Sequence, residues 1–378
     1  MLAMTPPMGY NTWNTFGTDI SESLIRESAD AMVDFGLLDA GYEYLVIDDC
    51  WSEKKRDPVT DKIIPEKTKF PSGMKAVSDY VHGKGLKFGM YSCAGFRTCA
   101  GYPGSFGHEF LDARTFAEYG CDYLKYDYCF KPEGIEGELL YRRMGVALEN
   151  CGRDIVFSAC NWGHDDVHRW VRSTGASLYR STGDVFDNFV SFTTNSLSQL
   201  GNFCYSAPGC FNDIDMLTVG MFGKGNVGTQ GCTYTDYVTQ FSLWCFLGAP
   251  LMLGCDIRNM TPEIQKLVTN KELIRIDQDP ECRPAYDVQT LAFSPINGRA
   301  LFRHLSGNEY ALGLFNFDEK ENPIDAFTER MGFSPDCGLG VVLTDVMTGE
   351  EFGPEPDGFS FNIEAHGCRI FRAKAVKL

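Results

Sequence analysis

Up to Pro280 the chain alternates short apolar runs with longer segments of amphipathic, helical character, and most of the runs end in polar or acidic residues. A strand that returns parallel to its predecessor needs a crossover long enough to hold a helix, so this alternation specifies βα units around a parallel sheet. The runs predict strands near Met8–Thr12, Tyr44–Asp48, Leu86–Ser92, Tyr123–Tyr128, Ile155–Asn161, Leu178–Gly183, Phe211–Met216 and Pro250–Cys255. The intervening segments predict helices over Glu22–Phe35, capped by Ser21, and over Ser72–His82, Glu109–Tyr119, Glu138–Asn150, Asp166–Arg172, Val185–Leu200, Thr235–Leu247 and Pro262–Thr269. Eight such units predict a closed (β/α)8 barrel over residues 1–280, an α/β fold. Beyond Asp279-Pro280 the pattern becomes short alternating runs, Leu301–Leu305, Glu309–Asn316, Gly340–Asp345 and Arg369–Ala373, separated by Asn-Gly, Ser-Gly-Asn, Thr-Gly and Asp-Gly turn signals. This tail, 281–378, reads as an antiparallel β domain.

Length and charge narrow the partners. The 378 residues suffice for one large domain and a smaller one. Thirty-four Lys and Arg stand against 51 Asp and Glu, and the net charge of −17 repels nucleic acid and anionic membrane surfaces. No apolar run approaches the length that spans a bilayer. Neutral small molecules fit this surface, and a homo-oligomer remains open. The segment Met1-Leu2-Ala3-Met4-Thr5-Pro6-Pro7 lacks a basic stretch followed by an apolar one, so the expected location is cytoplasmic. Fifteen cysteines form no CxxC pair, and several sit in apolar runs such as Leu243-Trp244-Cys245-Phe246-Leu247, so most are expected to be free. With six histidines, none spaced with cysteines as ligands are, no structural zinc site is expected.

In a barrel of this kind chemistry sits at the C-terminal ends of the strands. Aligning those ends gathers Asn11 and Trp13, Asp48 and Asp49, Tyr91 and Ser92, Lys125 and Asp127, Cys160 with Asn161 and Trp162, Arg180 and Asp184, Asp213 and Asp215, and Asp256. Such a ring, with no histidine at a strand end, is poorly made for hydride transfer or a Ser-His-Asp mechanism and suits a sugar. Carboxylates and cations hold hydroxyls, and the apolar face of the ring packs on Trp or Tyr. Lys125 and Asp127 share one face of their strand, and a cation beside an acid favours its ionised form, as a carboxylate nucleophile requires. Taken alone, the pair is also what a salt-bridged strand end looks like. Asp184, on the loop after the sixth strand, is the candidate proton donor; the competing reading is a helix cap. Asp48-Asp49 can bind hydroxyls or, as the rival reading, Mg²⁺ or Ca²⁺.

Six stretches in order carry a specific resemblance. They are Met8-Gly9-Tyr10-Asn11-Thr12-Trp13-Asn14, Ile47-Asp48-Asp49-Cys50-Trp51, Thr98-Cys99-Ala100-Gly101-Tyr102-Pro103-Gly104-Ser105, Leu124-Lys125-Tyr126-Asp127-Tyr128-Cys129, Asn212-Asp213-Ile214-Asp215-Met216-Leu217 and Ala249-Pro250-Leu251-Met252. Together they resemble glycoside hydrolase family 27, the α-galactosidase family, and the tail resembles the family's C-terminal β-sandwich in placement and size. The resemblance implies a retaining double displacement with Asp127 as nucleophile and Asp184 as general acid and then base. It implies a sugar pocket lined by Trp13, Asp48, Asp49, Tyr91, Lys125, Cys160, Trp162, Arg180, Asp215 and Met216, and no metal or cofactor.

Where family members commonly carry Cys-Glu-Trp, this chain has Cys160-Asn161-Trp162, which brings Asn161 in as the reader of the sugar's C2 substituent. Asn161 can donate to a 2-hydroxyl, and Asp48 suits a 6-hydroxymethyl group, so terminal α-linked galactose of a small imported galactoside is the expected substrate. α-N-acetylgalactosaminides and β-L-arabinopyranosides are the alternatives on the same scaffold, and a non-catalytic galactoside-binding protein is the alternative outside enzymes. Cys99 and Cys129 match a pair that is disulfide-bonded in secreted members, whereas Thr18 stands where a partner of Cys50 is expected.

Overall fold

In the computed structural model, which describes residues 2–289 and 297–378, eight short strands form one parallel sheet. They are β1 (Met8–Asn11), β2 (Tyr44–Val46), β3 (Lys87–Cys93), β4 (Tyr123–Asp127), β5 (Val156–Cys160), β6 (Leu178–Arg180), β7 (Phe211–Asp213) and β8 (Leu251–Leu253). The pairing order β7-β6-β5-β4-β3-β2-β1-β8 sets each strand beside its sequence neighbour and brings β1 against β8. Between β7 and β8 a single parallel bridge, Leu217 to Leu253, completes the ring. There the Leu217 N–H donates to the Met252 carbonyl at 2.8 Å and the Gly254 N–H to the Leu217 carbonyl at 3.0 Å. The β7 ladder ends early because the chain leaves it through Asp215, at φ +86, before rejoining the ring at Leu217. Almost every strand residue is buried, as expected of a parallel sheet covered on both faces.

The main barrel helices start where the sequence provides caps. Ser21 Oγ accepts the Leu24 N–H, Asn188 Oδ1 the Ser191 N–H and Thr261 Oγ1 the Ile264 N–H, while Thr233 and Asp236 form a reciprocal capping box on Tyr234–Leu247. Two predicted helices differ. In place of Asp166–Arg172 there are three short turns, His164–Asp166, Val167–Trp170 and Val171–Thr174. Asp165 stands at φ +57, its carboxylate accepting from the Tyr128 hydroxyl and the Gly137 N–H, and these ties draw it out of helical geometry. The helix expected from Val185 begins at Phe189, because the Asp187 carboxylate is tied instead to the Tyr237 hydroxyl on the helix Tyr234–Leu247 and to the Gly223 N–H in the loop after β7. A short helix, Lys271–Asp277, and a turn, Trp13–Phe16, were not expected from the pattern.

The tail forms a six-stranded antiparallel sheet and a two-stranded one. Its strands are β9 (Tyr286–Asp287), β10 (Gly298–Leu305), β11 (Glu309–Asn316), β12 (Asn322–Phe327), β13 (Leu339–Asp345), β14 (Glu351–Glu355), β15 (Gly358–Ile363) and β16 (Cys368–Lys377). Alternation on β10 assigns its two faces. Ala300 and Phe302 join Ile324, Ala326, Phe359 and Ile363 in a core between the two sheets, whereas Leu301 and Leu305 belong to the barrel core. Arg303, on the barrel-facing side, is fully buried. It donates to the Cys245 carbonyl, to the Phe246 carbonyl at 3.4 Å and to the Asp277 carbonyl at 3.2 Å, so one side chain of the β domain serves the last turns of two barrel helices. No described helix is long and apolar enough to cross a membrane.

Candidate active site

The strand ends converge on one cavity at the C-terminal mouth of the barrel. Trp13, Asp48, Asp49, Tyr91, Lys125, Asp127, Trp162, Arg180, Asp184, Asp215 and Met216 all line it. Asn14, Cys99, Val185 and Val227 complete the wall.

Asp127 ends β4 almost buried. The Tyr91 hydroxyl donates to its Oδ2 at 2.8 Å and the Tyr128 N–H to its Oδ1 at 2.9 Å, which fixes the plane of the carboxylate. Burial pushes its pKa above the usual range, and Lys125, Tyr91 and Tyr128 oppose that shift without reversing it. The neighbouring cation therefore moderates the ionisation of Asp127, where the strand pair alone suggested that it dominates. Lys125 in fact pairs with Asp48, Nζ to Oδ2 at 2.8 Å. Burial works against its charge, but the Asp48 and Asp127 carboxylates outweigh burial and hold the ammonium firmly protonated.

The two consecutive acids after β2 both reach the cavity because Cys50 turns the chain at φ +73. Asp48 accepts from Asn11 Nδ2 at 2.8 Å and from the Asp49 N–H at 3.0 Å. Asp49 accepts the Cys50 N–H at 2.7 Å and the Ala100 N–H at 3.0 Å, and burial raises its pKa. N–H and ammonium donors around both carboxylates are the surroundings of a hydrogen-bonding site, and among the described residues neither acid belongs to a cluster of three metal-ligating groups.

On the opposite wall Arg180 is the hub. Its Nη2 lies 2.8 Å from Asp184 Oδ1 and 3.0 Å from Asp215 Oδ2. The Asp184 side chain is 66% exposed, and it caps no helix, since Asn188 does that work. Partial burial tends to raise its pKa, but the charge and hydrogen bond of Arg180 win and hold it below the usual carboxylate range. Asp215 is locked from four sides: its carboxylate accepts the Val185 N–H at 2.7 Å, the Met216 N–H at 2.8 Å and Arg180, and its carbonyl accepts Trp244 Nε1 at 2.8 Å. These bonds sustain the left-handed backbone at Asp215, which a residue with a Cβ rarely adopts.

Cys160 and Asn161 lie off the cavity. Cys160 sits beneath its floor, Sγ 3.8 Å from Arg180 Nη1, beside Ser158 and Asp213. Asn161 is fully buried and donates Nδ2 to the His164 carbonyl at 2.7 Å, so it staples the loop after β5 and does not line the cavity. The reason is the backbone: Trp162, at φ +59, turns into the cavity and leaves Asn161 pointing away. The Trp162 ring is braced edge-on by Tyr128 and His164, with centroids 6.2 and 6.0 Å apart. Asp213, which the strand-end alignment had placed in the ring of acids, is below the floor, where burial pushes its pKa up to about 6. Val227, from the loop after β7, carried no signal in the sequence. Cys99 and Cys129 are disulfide-bonded, while Cys50 is free.

A family model described as Alpha galactosidase A matches residues 5–279. The chain belongs to the α-galactosidase family. An α-galactosidase of Cyamopsis tetragonoloba is 41% identical over 372 residues, covering 98% of this chain and 86% of the relative. Alpha-galactosidase 3 of Arabidopsis thaliana is 39% identical over 98% of this chain and 82% of its own length. The crystal structure of α-galactosidase I from Mortierella vinacea superposes with a TM-score of 0.90 at 30% identity, covering 100% of this chain and 99% of the other. That structure shares the barrel and the C-terminal β domain. The family's chemistry is glycoside hydrolysis, and this member is a glycosidase.

Proposed function

We propose that this α-galactosidase family member releases terminal, non-reducing α-linked D-galactose from small galactosides with retention of configuration. The observation that carries the reading is the unequal treatment of two acids in one cavity: Asp127 is buried and fixed by two donors, and Asp184 is exposed at the mouth and tethered to Arg180. Retaining hydrolysis needs that difference, because one carboxylate attacks the anomeric carbon while the other delivers a proton. Asp127 attacks and forms a galactosyl ester as Asp184 protonates the departing oxygen. Asp184, now ionised, then takes a proton from the water that cleaves the ester, and α-galactose leaves.

Arg180 favours the ionised form of Asp184. A bound sugar strips water from its largely exposed carboxyl, and desolvation drives the pKa upward, so the substrate helps to make its own acid. Asp48, Asp49 and Lys125 present acceptors and a donor to hydroxyls on one side of the ring, and Arg180 with Asp215 does so on the other. Trp162 and Trp13 cover the apolar face. With Asn161 turned away, the C2 group is read by Arg180 and Asp215. A raffinose-type sugar or melibiose imported into the cytoplasm is the substrate this reading favours, and activity in culture medium instead of cell lysate would count against that location.

The test is a panel of p-nitrophenyl glycosides. kcat/KM should be highest for the α-galactoside; a preference for the α-N-acetylgalactosaminide or the β-L-arabinopyranoside would overturn the substrate assignment. Asp127→Asn should keep galactose binding and lose turnover, and unchanged turnover would refute its role.

A further inference from the structure

One wall of the cavity brings together three groups that are metal ligands in other settings. Cys99 Sγ, Cys129 Sγ and a carboxylate oxygen of Asp127 all lie within 4.8 Å of one another. Cys99 Sγ stands 3.6 Å from Asp127 Oδ2. Cys99 is exposed and lines the cavity, while Asp127 and Cys129 are buried behind it. The sulfurs are joined in the structure across a sequence separation of 30 residues. Cys129 lies in the turn just beyond β4, two residues after Asp127, whereas Cys99 rides on the loop after β3.

We propose that reduction of this disulfide creates an inhibitory site for a thiophilic divalent cation, Zn²⁺ above all, with Cys99, Cys129 and Asp127 as its ligands. A phosphine reductant and water convert the disulfide to two thiols and phosphine oxide, and binding of Zn²⁺ then releases the two thiol protons as both sulfurs coordinate as thiolates. The spacing suits the ion. Zinc–sulfur and zinc–oxygen bonds of about 2.3 and 2.1 Å at a tetrahedral angle place sulfur and oxygen ligands about 3.6 Å apart. The Cys99–Asp127 edge already has that length, and reduction frees the two sulfurs to part to the about 3.8 Å that two thiolates on one zinc require. Two thiolates select zinc over magnesium or calcium, which prefer oxygen ligands throughout. The fourth position faces the cavity, and an ion enters by the route a sugar takes.

Metal binding itself needs only the three ligands. Inhibition rests additionally on Asp127 being the nucleophile, since a carboxylate oxygen bonded to zinc does not attack carbon.

The test compares the intact protein, untreated and reduced with tris(2-carboxyethyl)phosphine that is then removed, using Co²⁺ as an optical probe and Zn²⁺ as inhibitor. Reduced protein should gain one Co²⁺ with strong near-ultraviolet sulfur-to-metal absorption that Zn²⁺ bleaches. C99S, judged against its own metal-free spectrum and rate, should lose that absorption and any zinc response. Zn²⁺ at ~100 times its Kd should lower kcat/KM of the reduced enzyme about 100-fold, competitively with galactose, and leave the oxidised enzyme unchanged. The site is overturned if reduced protein with native far-ultraviolet circular dichroism shows no such absorption, or if C99S retains it, or if zinc acts equally on both redox forms. If cobalt binds at the trio and the zinc-loaded enzyme still turns over, the site stands and the assignment of Asp127 as nucleophile falls.

Discussion

Trp244→Phe probes how the acid side of the cavity is held. Trp244 is fully buried, and its Nε1–H reaches the Asp215 carbonyl at 2.8 Å from behind the wall, touching no part of the cavity. Phenylalanine keeps an aromatic ring in the core and removes the donor. A buried carbonyl left without its partner costs about 1–3 kcal/mol, and the left-handed backbone it helps to hold at φ +86 stores strain of about the same size. Relaxing Asp215 loosens the anchors on the Val185 N–H and Arg180, and through them the position of Asp184. A loss of ~1–3 kcal/mol in transition-state stabilisation lowers kcat/KM by about 5- to 150-fold. That loss should depend on the leaving group. A galactoside whose aglycone is a sugar needs the proton from Asp184 and should bear the full effect, whereas a 2,4-dinitrophenyl α-galactoside leaves unaided and should lose only the smaller part that comes from the sugar contacts of Asp215 and Arg180. Steady-state kinetics on both substrates, with Asp184→Asn as reference, reads this out. Equal loss on both substrates in Trp244→Phe, beside leaving-group dependence in Asp184→Asn, would refute the positioning role while sparing Asp184 as the acid.

Three further expectations follow from buried polar groups. Asp213 keeps its proton in the folded protein up to about pH 6 because of burial, while the unfolded chain releases it near 3.8, so its contribution to stability falls as pH rises between those values, by at most about 3 kcal/mol. Asp213→Asn should therefore gain stability relative to the parent as denaturant melts move from pH 4 to pH 7, and a pH-independent difference would contradict the shift. Arg303→Met strips donors from the ends of the helices Tyr234–Leu247 and Lys271–Asp277 and should cost about 2–5 kcal/mol in chemical denaturation, against an insensitive result if Arg303 is only filler. Asn161→Ala frees the His164 carbonyl and should lower stability by about 1–2 kcal/mol while leaving the ratio of α-galactoside to α-N-acetylgalactosaminide rates within about 2-fold; a larger shift in that ratio would mean that Asn161 does read C2.

The barrel was legible because two periodicities and the chain order of parallel crossovers are local properties, and once eight strands were placed their ends gathered most of the cavity lining. What escaped depends on distances between strands or on the path of loops. Alternation put Lys125 on the face of Asp127, yet its ion pair is with Asp48, two strands away in the ring. Burial of Asp127 outweighs the cation next to it, and burial is a property of the whole packed barrel. Asn161 and Trp162 are adjacent at one strand end, and only a left-handed turn at Trp162 decides which of them enters the cavity. Cys160 and Asp213 were placed at the correct strand ends but one layer too high, beneath the floor instead of within it. Trp244 read as one aromatic in an apolar helix, with nothing to mark the Asp215 carbonyl as its partner.

Trapping the covalent intermediate tests the central claim most directly. A slow fluorinated galactosyl fluoride should label the enzyme with one sugar unit per chain, and peptide mass spectrometry should locate the ester on Asp127. Label on Asp184 or on any other residue, or first-formed β-galactose in a proton NMR time course with no label at all, would contradict a retaining mechanism through Asp127.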